Sequence, residues 1–194
     1  MSEIDPGLFL KFDKEGELNG FLVTHVDDFL HAGDESFQKE VVENLQQIFL
    51  MGKTEESKFK YVGMDIEQTE EGITLSQQEY ADSLEPITIK PERSKQTEEN
   101  LSEDEKSTLR KIAGRLGWLA KGTRPDLAFS QVEISTKFLN GKVKDLIKAV
   151  KAYKKVGDTD SVYTIKNLGP VSDWTIEVNT DASLSNLNEA QEAT

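Results

Sequence analysis

The segment Gly7 to Asp13 reads as a short strand that ends in a Lys14-Glu15-Gly16 turn. A second strand is predicted over Leu18 to Val26, where Phe21, Leu22, Val23, Thr24 and Val26 supply β-branched and aromatic residues. Asp27-Asp28 interrupts it, and Phe29-Leu30-His31-Ala32 resumes the apolar pattern, so the stretch has the form of a hairpin. Gly33-Asp34 breaks the chain before a helix whose Phe37, Val41, Leu45, Ile48 and Phe49 fall on one face. Phe59 to Thr69 is a further strand with Val62, Met64 and Ile66 on one side. A Glu70-Glu71-Gly72 turn leads to the return strand Ile73-Thr74-Leu75, and a short helix follows over Gln78 to Leu84. Pro86 to Asn100, with two prolines, many charges and little apolar pattern, is expected to be an exposed linker.

Three helices are predicted after it. Ser102 to Lys121 opens on a capping box, Ser102 with Glu105, and carries the apolar stripe Leu109, Ile112, Leu116 and Leu119. Gly122-Thr123-Arg124-Pro125 ends that helix, and Pro125 suits the first turn of the next. The second helix holds Leu127, Ala128, Val132, Ile134 and Phe138, and Asn140-Gly141 stops it. The third, about 143–156, puts Val143, Leu146, Ile147, Val150 and Tyr153 on one face and Lys144, Lys148, Lys151 and Lys155 on the other. Val162 to Lys166 and Thr175 to Thr180 are expected strands around Gly169-Pro170. Residues 182–194 carry no strong pattern, and no repeat is visible.

Composition narrows this picture. The 194 residues suffice for one ordinary domain or two small ones, and 36% hydrophobic with 30% charged residues is a globular balance on the polar side. No apolar run reaches the ~18 residues of a membrane span, and Met1 to Asp5 has no secretory h-region, so neither a span nor a signal is expected. Cysteine is absent, which excludes disulfides and thiolate metal sites and fits a reducing interior. Two histidines, His25 and His31, are too few for a usual zinc site. The net charge of -13 argues against a general nucleic-acid binder. Between Arg110 and Val156, however, twelve Lys and Arg stand against three acids, Asp126, Glu133 and Asp145. A phosphate backbone would be held there if anywhere, through Arg110, Arg115, Arg124, Lys144, Lys148, Lys151 and Lys155. The same lysine stripe also reads as a solvated helix face, and Arg124 reads equally as a cap on a neighbouring helix. Trp118 is expected in the core rather than as a stacking platform.

The sharpest local feature is Phe21-Leu22-Val23-Thr24-His25-Val26-Asp27-Asp28-Phe29-Leu30. Two adjacent carboxylates repel each other, and a hard cation such as magnesium relieves that repulsion. Two such ions form the clamp used for in-line phosphoryl transfer. On spacing alone Asp27-Asp28 is first of all a polar turn.

The segment resembles the tyrosine-x-Asp-Asp motif of reverse transcriptases, with His25 in the tyrosine's place. Three further blocks resemble the copia-type retrotransposon enzymes in the same order. They are Tyr61-Val62-Gly63-Met64-Asp65-Ile66, then Gly72-Ile73-Thr74-Leu75-Ser76-Gln77-Gln78-Glu79-Tyr80, then residues 109–120 continued by Thr123-Arg124-Pro125-Asp126-Leu127-Ala128-Phe129. Val178-Asn179-Thr180-Asp181-Ala182-Ser183 resembles the first strand of the family's ribonuclease H domain. The resemblance implies an α+β fold. Residues 1–85 would be a partial antiparallel palm, 86–100 a linker, 101–157 a helical thumb and connection, and 158–194 the truncated start of a ribonuclease H-like domain. It implies RNA-directed DNA polymerase activity in the complete enzyme, with primer–template and deoxynucleoside triphosphates as partners and two Mg2+ ions. Asp27 and Asp28 would be catalytic metal ligands, and Asp181 a metal ligand of the second site. Read without the family, Asp181 is an ordinary turn residue. His25 is a polar residue on a hairpin face, and His31 has no assigned role. The family's third polymerase aspartate lies on a strand before this segment, so the chain is expected to be a polyprotein fragment, inactive alone, of an enzyme working in the cytoplasm. The other reading is a transposon-derived remnant that binds nucleic acid or protein without catalysis.

Overall fold

A computed structural model describes residues 2, 3 and 5–178 of the chain. It is an α+β structure with antiparallel sheets, and the chain divides into two compact units, residues 1–63 and 64–194.

The first unit contains β1 (Leu8–Phe12), β2 (Leu18–His25) and β3 (Asp28–Gly33), hydrogen-bonded in that order. Both pairs are antiparallel, and β2 and β3 hold an unbroken register from Gly20↔Gly33 to His25↔Asp28. Alternation puts Gly20 and Leu22 on one face, and both are buried. A helical segment lies on that face: α1 (Glu35–Phe37), a π-helical turn over Gln38–Val42, and α2 (Glu43–Ile48). Asp34 caps it, its Oδ1 accepting the Phe37 N–H at 2.7 Å. Phe37 lies flat across the Gly20–Gly33 pair, where a Cβ on either glycine would strike its ring. His31 packs beside the same ring, with centroids 6.4 Å apart. Lys11 of β1 pairs with Glu40 of the π turn at 2.8 Å.

The helix departs from its predicted stripe. A π turn takes about one residue more per turn than an α-helix, so the buried position after Phe37 is Val42 rather than Val41. Val41 and Leu45 are left at the margin of the cluster, and Ile48 and Phe49 face solvent. The last strand of this unit is β4 (Lys58–Tyr61).

In the second unit β5 (Met64–Thr69), β6 (Gly72–Ser76) and β7 (Val162–Lys166) run antiparallel in that order. The strand at 162–166 was expected beside Thr175 to Thr180. It pairs with β6 instead, in the register Ser76↔Val162 to Gly72↔Lys166. The described part of the other expected strand, 175–178, has no regular structure. Two bonds fix the choice of partner: Gln77 N–H donates to Ser161 O at 2.8 Å, and Ser161 N–H to Gln78 Oε1 at 2.7 Å.

The helices of this unit are α3 (Gln78–Asp82), α4 (Pro91–Ser94), α5 (Glu103–Gly122), α6 (Ala128–Ser135) and α7 (Val143–Lys154). The predicted stripe of α5, Leu109, Ile112, Leu116 and Leu119, is fully buried against Val143, Leu146, Ala149 and Val150 of α7. Trp118 is 40% exposed and not in this core, because it sits about 100° round the helix from Leu119.

The segment 86–100 is not a loose tether. Ile87 and Ile89 pack on the helical core, and Arg93 of α4 grips Glu105 in a bidentate pair at 2.7 and 2.8 Å. Val143 and Lys144 N–H donate to Glu99 and Thr97 O, and Asn100 bridges Lys142. Glu105 also completes the capping box, accepting the Ser102 N–H at 2.8 Å while its own N–H donates to Ser102 Oγ.

Two predictions follow from this packing. Gly20→Ala and Gly33→Ala each push Phe37 off the sheet and lower the stability of the first unit by about 1–3 kcal/mol in urea denaturation. An equal loss in the Phe37→Leu background would show that the ring is not the cause. The second prediction concerns Glu105, whose carboxyl is held at about 2 against an ordinary 4.5, chiefly by Arg93. A depressed folded-state value contributes stability above pH 4.5 that is lost as pH falls toward about 2. Glu105→Gln is expected to flatten the stability profile over that window while weakening the helix start at neutral pH.

Candidate functional site

The β2–β3 hairpin turns over only two residues, Val26 and Asp27, between the pair His25↔Asp28. Val26 has φ +58° and is 92% exposed, while Asp27 keeps an ordinary φ. Positive φ at the first turn position alone is the pattern that glycine normally serves, and a β-branched residue there is strained by about 1–3 kcal/mol. The paired strands, with Leu22 packed under Phe37, hold the turn in that state.

Both Asp27 and Asp28 are exposed. Among the described residues neither side chain accepts a hydrogen bond or meets a cation. Two adjacent hard carboxylates with open space before them suit a magnesium-like ion that keeps water or phosphate oxygens in its remaining positions. No third His, Asp or Glu joins them in a ligand group among the described residues. His25 pairs with Asp28 across the ladder and is exposed, as its reading as a hairpin-face residue requires.

One residue near this turn was not singled out for chemistry by the sequence. The Tyr61 hydroxyl, at the end of β4, is buried without a hydrogen-bond partner among the described residues. Burial first, and then the negative charge of Asp28, push its phenol above the usual value. The signal available in the sequence was the tyrosine's place in the Tyr61-Val62-Gly63 block, which says nothing about what its hydroxyl faces.

The basic residues do not form one free row. Arg124 is 4% exposed and fully engaged. Its Nη1 donates to Val156 O and Thr159 O at 3.2 and 2.8 Å, and its Nη2 donates to Lys155 O. A fork of Nε and Nη2 holds Asp126. It caps the turn after α7, the second of the two uses its sequence position allowed. Arg115 donates to Tyr153 Oη at 2.6 Å, and that hydroxyl donates to Glu85 O. Arg110 lies over the Phe138 ring. Lys144 shares Glu98 with Lys142, and Lys148 pairs with Glu133. Lys151 and Lys155 have no ion-pair partner among the described residues. Asp181 lies outside the described residues.

Arg124 belongs to a buried polar knot that also contains Gln77. Gln77 Oε1 accepts both the N–H and the hydroxyl of Thr123, and its Nε2 donates to Trp118 O. Gly122 makes room for it, since a Cβ there would strike the Gln77 amide. Comparison with family models, curated proteins and solved structures finds no match for the chain.

Removing the guanidinium leaves several carbonyls and Asp126 without their donor. Arg124→Ala is expected to cost about 3 kcal/mol in chemical denaturation, and Arg124→Lys to recover little of it because an ammonium cannot reproduce the fork. Full stability in the lysine variant would refute the capping role.

Proposed function

We propose that the chain is part of a copia-type reverse transcriptase, with the β2–β3 hairpin as the metal-holding tip of its polymerase palm. The observation that carries this reading is the presentation of Asp27 and Asp28, both exposed and unpaired, at a strained two-residue turn of an otherwise regular hairpin. Strain of this kind persists only where surrounding structure over-determines it, and it concentrates at working sites. On this reading residues 1–85 belong to the palm, the helices 101–157 to the thumb and connection, and residues 158–194 to the start of a ribonuclease H-like domain.

The two carboxylates would hold the Mg2+ ions of the complete enzyme, and those ions would supply charge stabilisation for nucleotidyl transfer from a deoxynucleoside triphosphate to a primer 3′ hydroxyl. The chain's own contribution is positional. Cross-strand pairing fixes the turn, and the buried Phe37–Leu22 contact fixes the strands behind it. By the same resemblance a third carboxylate of the complete enzyme would be needed beside the pair, so the chain by itself is expected not to extend a primer.

The test uses the metal alone before any polymerase assay. Mn2+ titrated into the isotopically labelled chain is expected to broaden amide signals around residues 25–29 first. Asp27→Asn/Asp28→Asn is expected to abolish that effect without changing the rest of the spectrum. Broadening that is absent at the hairpin, or unchanged in the double variant, removes the reading. Primer extension on an RNA template that requires Mg2+ and disappears in Asp27→Asn would instead show the chain to be catalytically complete.

A further inference from the structure

A groove of about 250 Å3 runs between α6 and α7. It is lined by Ile134, Ser130 and Glu133 of α6 and by Ala152 of α7, of which Ile134 and Ala152 are buried. Lys148, Lys151 and Lys155 also line it. Lys148 is neutralised by Glu133. Lys151 and Lys155 stand one helical turn apart, about 6 Å between their Cβ atoms, and take no ion-pair partner among the described residues. α6 also presents Phe129 and Val132 to solvent, 61% and 53% exposed. The apolar pair on α6 and the lysines across the groove give this face two polarities, a combination that suits an amphipathic partner.

We propose that this groove binds an amphipathic acidic helix of a partner protein. An apolar side chain of that helix sits on Ile134 and Ala152, others cover Phe129 and Val132, and carboxylates spaced four residues apart meet Lys151 and Lys155. The pairing follows from charge and polarity together. A carboxylate is matched by a single ammonium, and the i,i+4 spacing of the two lysines is the spacing of any second helix laid alongside. A nucleic-acid backbone is the poorer occupant. Ile134 and Ala152 and the exposed Phe129 and Val132 offer a phosphate backbone nothing, whereas an amphipathic helix has an apolar face to set against them. The inference is independent of the hairpin and stands or falls separately from the polymerase reading.

The experiment uses the full chain and two labelled probes in fluorescence anisotropy. One is a synthetic helix with leucines along one face and glutamates at i and i+4 beside them, and the other is a short DNA duplex. Saturable binding of the peptide is expected, weakened at least about tenfold by Lys151→Glu/Lys155→Glu and severalfold by Phe129→Ser, with both variants keeping the wild-type circular dichroism. Amide shifts of the unmutated chain on adding peptide should centre on Ser130, Glu133 and Ala152, a readout that needs no variant to fold. The proposal is overturned by no saturable binding, by undiminished binding to the charge-reversed variant, or by shifts centred elsewhere. Tighter binding of the duplex at the same lysines overturns it too, as does a dimer of the free chain that dissociates on Lys151→Glu/Lys155→Glu.

Discussion

The second unit depends on keeping one cation dry. Arg124 is almost fully buried, and its donors go to three main-chain carbonyls at the end of α7 and to the carboxylate of Asp126. A buried charge is tolerated only when its donors are satisfied, so the positions of residues 155–159 follow from that of the guanidinium. Residues 155–159 lead into Ser161 and β7, and Ser161 is bonded to both Gln77 and Gln78. Gln77 in turn holds Thr123, next to Arg124. The loop of contacts closes on itself. It joins the end of α5, the turn after α7 and the strand β7.

That arrangement explains which parts of the fold were legible in the sequence. Local periodicity located the hairpin and the buried face of Leu22, but not its register, since the chain turns at Val26-Asp27, one position before the expected Asp27-Asp28 break. It also gave α5, whose stripe and capping box are both short-range features. The partner of β7 was not legible. The pairing of residues 72–76 with 162–166 spans about ninety positions, and nothing in either strand names the other. The segment 86–100 looked polar because its two anchors, Ile87 and Ile89, are isolated among charges, and because the partner of Arg93 is a helix-capping glutamate twelve residues on. Trp118 could have been placed correctly from its angle to Leu119. Its size suggested burial and its phase did not.

The candidate site divides in the same way. Asp27 lies in the hairpin turn and Asp28 opens β3, so the acids straddle the turn's end instead of forming the turn itself. The chemistry around them was hidden. Tyr61 reaches the neighbourhood of Asp28 from a strand more than thirty residues later. The basic block was legible as charge but not as use: Arg124 is committed to the interior, Arg115 to the Tyr153 hydroxyl, and Lys144 and Lys148 to acids of the same chain. Counting charges along a sequence cannot separate a cation that stabilises a fold from one that awaits a ligand. Only the partners do that.

The π turn at Gln38–Val42 has a consequence for how the first unit tolerates change in chain length. The turn spends one residue more than an α-helix of the same reach, and both of its neighbours are regular helix. Phe37 and Val42 would stay in phase on the sheet if that surplus residue were lost. The segment therefore holds slack of a single position, stored between two buried anchors and tied to β1 by the Lys11–Glu40 pair. Elsewhere in this unit the unbroken ladder of β2 and β3 leaves no such allowance, since a shift of one residue there would turn Leu22 outward and carry the paired acids with it.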